Sequence, residues 1–298
     1  MRNVKLILGS ILSFTCAAAL PLTGFAQTLE RIQSTGTFKI GFVPDEAPFS
    51  TAPGTGYSVE LCQMVAEKLR SMPGMSRVKA ETSSTSLEAG LGLVEQGGVD
   101  ILCGAASDNL ARRERVSFSL PIYNGGTGVV VRKDAPADLL RVLEGKVAHE
   151  GPIWRSTVNR GLSKHTYAVH AGTVTEAWVR EQITTLGVIA TVVPVKDHAD
   201  GVDMVAQKEA DAYFGDRTII SGILSKRADS GKMMLLQRNF TYEPIALAIA
   251  RDNDDFRLIV DTVLSELYLS DEFPAMYARY FGQPGEKTVE LFKIYARR

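Results

Sequence analysis

Apolar residues along the chain gather in short runs, separated by stretches where they recur every three or four positions. Phe38-Lys39-Ile40-Gly41-Phe42-Val43 has the length and content of a strand. So do Val78 to Thr82, Val99 to Cys103, Thr166 to Ala171, Ala190 to Val195 and Ala210 to Phe214. Ser58 to Arg70, Leu87 to Gln96, Thr175 to Leu186, Gly201 to Lys208 and Thr218 to Arg227 carry the helical period between or after them. The tail, Asp254 to Leu269 and then Asp271 to Phe281, reads as helix throughout. This alternation predicts an α/β fold with largely parallel sheets covered on both faces.

One piece of grammar occurs twice. Glu95-Gln96-Gly97-Gly98-Val99-Asp100-Ile101-Leu102-Cys103-Gly104 and Ala206-Gln207-Lys208-Glu209-Ala210-Asp211-Ala212-Tyr213-Phe214-Gly215 both end a helix, place an Asp before an apolar strand and close on Gly. Polar residues follow at once, Ser107 in one case and Asp216 in the other. Ligands of α/β sheets bind beyond the carboxyl ends of strands, so the repeat suggests two sheets, each offering polar groups at its strand tips.

The first 26 residues stand apart. Arg2 and Lys5 precede an apolar stretch from Leu6 to about Leu22, and Gly24-Phe25-Ala26 gives small residues before a cut ahead of Gln27, the layout of a cleaved secretory leader. Losing two bases and no acid would take the net charge from −1 to −3. A mild acidity argues against nucleic acid or an anionic membrane as partner. The length that remains suits two domains. Cys62 and Cys103 would then share an oxidising compartment, but both lie in apolar runs where small buried hydrophobes are expected. The expectation is unpaired core residues.

Enzyme signatures are missing: there is no Gly-x-Ser-x-Gly elbow, Walker loop or dinucleotide fingerprint. His149, His165, His170 and His198 make no metal pair on one helix face. The expectation is a non-enzyme without metal or cofactor. Gly125-Gly126-Thr127-Gly128 has no helix after it to aim at a phosphate and is read as a flexible crossing.

The segment Asp100 to Tyr123, Asp-Ile-Leu-Cys-Gly-Ala-Ala-Ser-Asp-Asn-Leu-Ala-Arg-Arg-Glu-Arg-Val-Ser-Phe-Ser-Leu-Pro-Ile-Tyr, resembles the signature of the polar amino acid-binding proteins of ABC transporters, the type II periplasmic binding-protein family (solute-binding family 3). Leu29-Glu30-Arg31-Ile32 to Gly41, Pro48-Phe49-Ser50, Gly56-Tyr57-Ser58-Val59-Glu60-Leu61 and Ala171-Gly172-Thr173-Val174-Thr175-Glu176 resemble its other blocks in order. Lys196-Asp197-His198-Ala199-Asp200 is similar to the glutamate/aspartate branch. The resemblance implies two Rossmann-like lobes with mixed sheets joined by a two-crossing hinge, one about 28–123 plus 244–298 and the other about 124–243.

It also implies a site. Arg112 matches the arginine that clamps the ligand carboxylate, for which a planar fork of donors is suited. Ser107 and the backbone at Ala105 match strand-tip groups around the ligand. Thr173 and the Val174 amide open a helix whose free N–H groups favour an anion, and Asp216 matches the acceptor of the α-ammonium. Glu46 replaces an aromatic residue that stacks on the ligand in many relatives, Val174 replaces a second Thr, and Gly90 stands where the acidic branch has an arginine. Glu46 is therefore expected to repel an acidic side chain, with His198 as thin support for one. Val147 to Lys164, including Trp154 and Arg155, reads as an insertion in the second lobe. The expected function is a monomeric periplasmic receptor that captures an amino acid or similar small carboxylate by lobe closure, for an ABC transporter permease. The rivals are a ligand-sensing subunit and a dehydratase with Glu46 as its acid/base group.

Overall fold

The computed structural model describes residues 28–146 and 160–298. The expected leader and most of the expected insertion, with Trp154 and Arg155, lie outside the described residues. In chain order the first part holds α1 (Thr28–Thr35), β1 (Thr37–Phe42), β2 (Asp45–Glu46), β3 (Ser50–Thr51), α2 (Tyr57–Ser71), β4 (Lys79–Ser84), α3 (Leu87–Glu95), β5 (Ile101–Cys103), α4 (Leu110–Arg113) and β6 (Val116–Gly125). Next come β7 (Thr127–Arg132), α5 (Ala137–Leu143), β8 (Thr166–His170), α6 (Val174–Leu186), β9 (Thr191–Val195), α7 (His198–Ala206), β10 (Ala212–Asp216), α8 (Arg217–Ser225) and β11 (Met233–Leu235). The chain ends with β12 (Glu243–Ala250), α9 (Asp254–Leu269), α10 (Phe273–Phe281) and α11 (Glu286–Tyr295).

Two five-stranded sheets result, ordered β4-β1-β5-β12-β6 and β11-β7-β10-β8-β9. β1 pairs in parallel with β4 and β5, and β8 with β9 and β10. β12 and β7 run antiparallel to their neighbours, so both sheets are mixed. Each sheet with its helices forms one lobe, and the α/β fold is the one the alternation predicts. The repeated Asp-strand-Gly grammar also has a physical meaning. The Asp100 carboxylate accepts from the Lys39 amide at 2.7 Å and the Asp100 amide donates to the Lys39 carbonyl, while Arg31 covers the charge. Asp211 does the same with Thr166, with the carboxylate at 2.9 Å and His165 and Arg132 beside it. Each Asp staples the entry of a central strand to its neighbour, and the Gly lies at the opposite end.

Among the elements not legible in the hydrophobic pattern are β6, β7, β12 and α11. Pro121 interrupts β6 at the point where its register with β12 shifts, next to Ala246, and β6 is the sheet's edge. A proline is tolerated at such a bulge but disguises the strand. The Gly125-Gly126 crossing is not a loose loop either, since β6 reaches Gly125 and β7 begins at Thr127. A Cβ at Gly125 would stand 2.8 Å from the Asp216 carboxylate, and one at Gly126 would strike the Thr241 carbonyl of the return crossing. These glycines allow close approach.

The two cysteines overturn an expectation. α2 turns Leu61, Cys62, Val65, Ala66 and Leu69 toward the sheet. Its inner face lies over β5, so Cys62 and Cys103 are both fully buried and joined as a disulfide with Cα atoms 6.5 Å apart. Their apolar surroundings were legible, but their juxtaposition is a property of how α2 crosses the sheet. Closing a loop of 41 residues constrains the unfolded chain, and loss of such a bridge typically costs about 2–4 kcal/mol. The double variant Cys62→Ala/Cys103→Ala is therefore expected to melt roughly 5–15 °C lower by calorimetry, while reducing agent leaves the variant's melting unchanged.

Candidate functional site

The carboxyl ends of β1 and β5 in the first lobe face those of β8 and β10 in the second, and the lobes touch along this seam. The His198 amide at the start of α7 donates to Asp45 Oδ2 at 3.2 Å. Thr218 of α8 donates to the Tyr123 hydroxyl at 3.0 Å. A Cβ at Gly172 would meet Glu88 Cγ at 2.7 Å, and one at Gly222 the Ala47 carbonyl at 3.2 Å.

Glu46 sits at the centre of the seam, only 1% exposed. The β2–β3 hairpin turns it inward, and its Oε2 accepts from the Ala105 amide at 2.6 Å. The approach is possible because Gly104 has no side chain: a Cβ there would lie 2.5 Å from that oxygen. Ser58 in turn holds the Gly104 carbonyl at 2.8 Å. Burial pushes the Glu46 pKa up to about 8, opposed by the Ala105 amide and by Arg112, and assisted by Asp45 and Asp216. Glu46 is thus an acid that is largely protonated near neutrality, not the fixed negative charge expected from its identity. An anion without water carries a large desolvation penalty and takes a proton instead.

Arg112 is also mostly buried, its side chain 10% exposed. Asn109 caps α4 by accepting from the Arg112 amide at 2.9 Å, which turns the side chain back over the β5 tip. Nη1 donates to the Ser107 carbonyl at 3.1 Å, and Nη2 lies 3.5 Å from Glu88. Burial lowers the Arg112 pKa, while Glu88, Glu46 and Glu243 act against that shift. Arg113 is 47% exposed and paired with Asp108 on the outside.

From the second lobe, Asp216 closes β10 and caps α8. Its Oδ1 accepts from the Thr218 and Ile219 amides at 2.8 and 3.1 Å, and Oδ2 is 3.4 Å from the Gly126 amide. Burial raises its pKa to about 6 against those three amides, with Glu243 adding to the rise. One oxygen is thus committed to the helix and the other is loosely held. Thr173 caps α6, accepting from the Glu176 amide and donating to the His170 carbonyl at 2.7 Å. Its hydroxyl proton is spent, so what this corner offers a ligand is the Val174 amide, one of the free N–H groups of a helix start.

Glu46, Ala105, Arg112 and Asp216 are therefore brought together, with Ser107 at Arg112. His198 is not. Its Nδ1 is 2.6 Å from the Tyr213 hydroxyl and its Nε2 is 3.2 Å from His170, all inside the second lobe. With both ring nitrogens engaged and burial lowering its pKa to about 3, the ring is a neutral core group. Residues that sequence reasoning missed include Glu88, which neutralises Arg112, and Asp45, which receives the α7 amide. Neither has a local signal, because Glu88 meets Arg112 from another element of the first lobe and Asp45 meets the opposing lobe. Gly90 packs so closely that a Cβ would be 2.7 Å from Leu102 Cδ1. Arg217 does not stand in for an arginine there, since its guanidinium is bound to Asn239 and to the Leu236 and Arg238 carbonyls.

With this geometry in place the chain can be set beside known proteins. Residues 38–283 match the model of the bacterial extracellular solute-binding proteins, family 3, and the chain belongs to that family. It is similar to the L-glutamate/L-aspartate-binding protein of Pseudomonas aeruginosa, 26% identical over 92% of this chain and 88% of that one. The glutamate/aspartate import solute-binding protein of Escherichia coli is 19% identical over 89% and 82%. Among solved structures, an ancestral amino acid-binding protein described as a precursor of cyclohexadienyl dehydratase superimposes with TM-score 0.68 at 22% identity, covering 86% of this chain and all of that one. A mutant of the T. maritima ArgBP gives 0.67 at 19%, covering 86% and 99%.

Two outcomes test the site. The stabilising neutral form of Glu46 is fully present below its ordinary 4.5 and is lost as pH rises through about 8. Asp216 follows the same sign lower down, from 3.8 to about 6. His198 has the opposite sign, its contribution complete above 6.5 and lost as pH falls toward about 3. Between pH 7 and 8.5 Glu46 alone of these three titrates. The melting temperature of wild type is therefore expected to fall across that window and that of Glu46→Gln to stay flatter; a flat wild-type profile would contradict the buried acid. Gly90→Arg is expected to destabilise by roughly 1–3 kcal/mol through overpacking and to gain no affinity for glutamate, checked by calorimetry of folding and of binding.

Proposed function

We propose that this protein captures an amino acid between its lobes and, exported by its leader to the periplasm, delivers it as a monomer to an ABC transporter permease. The observation that carries the reading is the presence, at one seam, of a largely buried guanidinium from the first lobe and a partly buried carboxylate from the second. Both are close enough to act on Glu46 in opposite directions. A zwitterion complements that pair: its carboxylate suits the fork of Arg112 with the Val174 amide, and its ammonium suits the free oxygen of Asp216. A ligand held by both lobes favours the closed form by its differential affinity for it.

The relatives' named ligands are glutamate and aspartate. In this chain the cation for an acidic side chain has no counterpart at Gly90, and Arg217 is engaged elsewhere. We therefore read the ligand as an amino acid with a neutral or basic side chain. A second reading, a dehydratase, draws on Glu46 alone, since a protonated acid in a cleft can protonate a leaving group. Product formed from hydroxylated carboxylic acids on prolonged incubation would favour it.

Arg112→Ala is expected to weaken binding by roughly 2–5 kcal/mol, at least about 30-fold in Kd, while Arg113→Ala changes it little. Titration calorimetry with whichever amino acid raises the melting temperature most makes the comparison. Equal small effects would move the site elsewhere.

A further inference from the structure

We propose that Glu46 is the subsite for a cationic ligand side chain, an ammonium or guanidinium, and that it releases its own proton to solvent as that group binds. This rests on the amino-acid reading above, because it assigns the α-carboxylate to Arg112 and the α-ammonium to Asp216 and leaves Glu46 for the rest of the ligand.

The geometry points to this role. The Glu46 carboxyl is pressed against the β5 tip by the absence of a side chain at Gly104, and Oε2 is held by the Ala105 amide. With that oxygen accepting, the proton belongs on Oε1. The charged groups around it come from every element at the seam: Asp45 on its own hairpin, Arg112 on α4 with Glu88 of α3 against it, Asp216 at the β10 tip, and Glu243 of β12 acting on both Arg112 and Asp216. On Glu46 itself two acids, Asp45 and Asp216, act against Arg112, while Arg115 at Glu88 and Arg217 beside Asp216 offset the outer acids. An amino acid's own two α-groups cancel without correcting the imbalance at Glu46. A positive side chain corrects it, and a negative one worsens it.

The proton balance is simple. With no cation beside it, burial keeps Glu46 neutral. An opposite charge within about 4–6 Å favours the ionised form, so the arriving cation lets the Glu46 O–H bond break. The electron pair stays on the oxygen, the proton passes to bulk buffer, and the ligand keeps its own. A neutral side chain provides no such compensation and leaves the proton in place.

The test is titration calorimetry at pH 7.5, where Asp216 is already ionised, repeated in phosphate and Tris, which differ in ionisation enthalpy. L-Arginine and L-lysine are expected to release about one proton per bound ligand, L-glutamine about none. Their Kd is expected to tighten up to tenfold, the limit for one linked proton, from pH 6.5 to 7.5. In Glu46→Gln the release disappears and the preference for arginine over glutamine collapses. Should that variant fail to fold, proton release by wild type must itself decline steadily as pH rises from 7 to 8.5, the range in which Glu46 ionises without a ligand. Basic ligands that bind without proton release, release that persists in Glu46→Gln, or glutamate binding with proton uptake would each overturn the proposal and leave the amino-acid reading standing. If no amino acid binds wild type, that reading falls, and the proposal with it.

Discussion

The hydrogen bond from the Ala105 amide to a carboxyl group almost wholly shielded from solvent is the constraint on which the rest of the candidate site depends. It requires a bare Gly104, a strand tip that does not yield, and a hairpin that delivers Glu46 from the opposite side. Ser58 fixes the Gly104 carbonyl, and the disulfide ties the preceding residue, Cys103, to the same helix. Three contacts of different kinds thus hold one turn of backbone. Ser107 and Arg112 hang from its continuation, so the placement of the guanidinium inherits that rigidity.

Polar contacts cross the seam between the lobes beside the apolar contact that Ile219 of α8 makes with the core of the first lobe. The first lobe brings carboxylates, and the second brings helix starts whose amides carry partial positive charge. Asp45 meets the first amide of α7, and Glu88 lies against Gly172 before α6. Such contacts are individually modest, and that suits a receptor whose lobes must part again. A closed form held too firmly by its own residues would leave little for a ligand to shift. The glycine crossing serves the same end by letting two antiparallel passes of chain lie close together beside Asp216.

Burial decides what the charged residues mean. Asp100 and Glu46 are both nearly inaccessible acids. The first has Arg31 and a backbone amide and serves as a structural staple, whereas the second has one amide and an acidic neighbourhood and holds a proton. His198 is disarmed by the same physics, buried with two partners until it is part of the core. Residue type alone would have assigned all three a charge or a ligand.

How much was legible in the sequence follows from the range of each effect. Hydrophobic period fixes which face of a helix or strand turns inward, so the α/β alternation and the burial of Cys62 and Cys103 could be read from local pattern. The order of blocks around Asp100 to Tyr123 marked Arg112, and the Gly after each apolar strand marked the tips. Nothing local could say that Cys62 faces Cys103, that Tyr213 and His170 claim both nitrogens of His198, or that Arg217 is tied to the 236–239 segment. Nor could it say that Glu46 loses its water to a neighbouring lobe, because ionisation depends on what surrounds a group in three dimensions, and those surroundings are assembled from residues far apart in the chain.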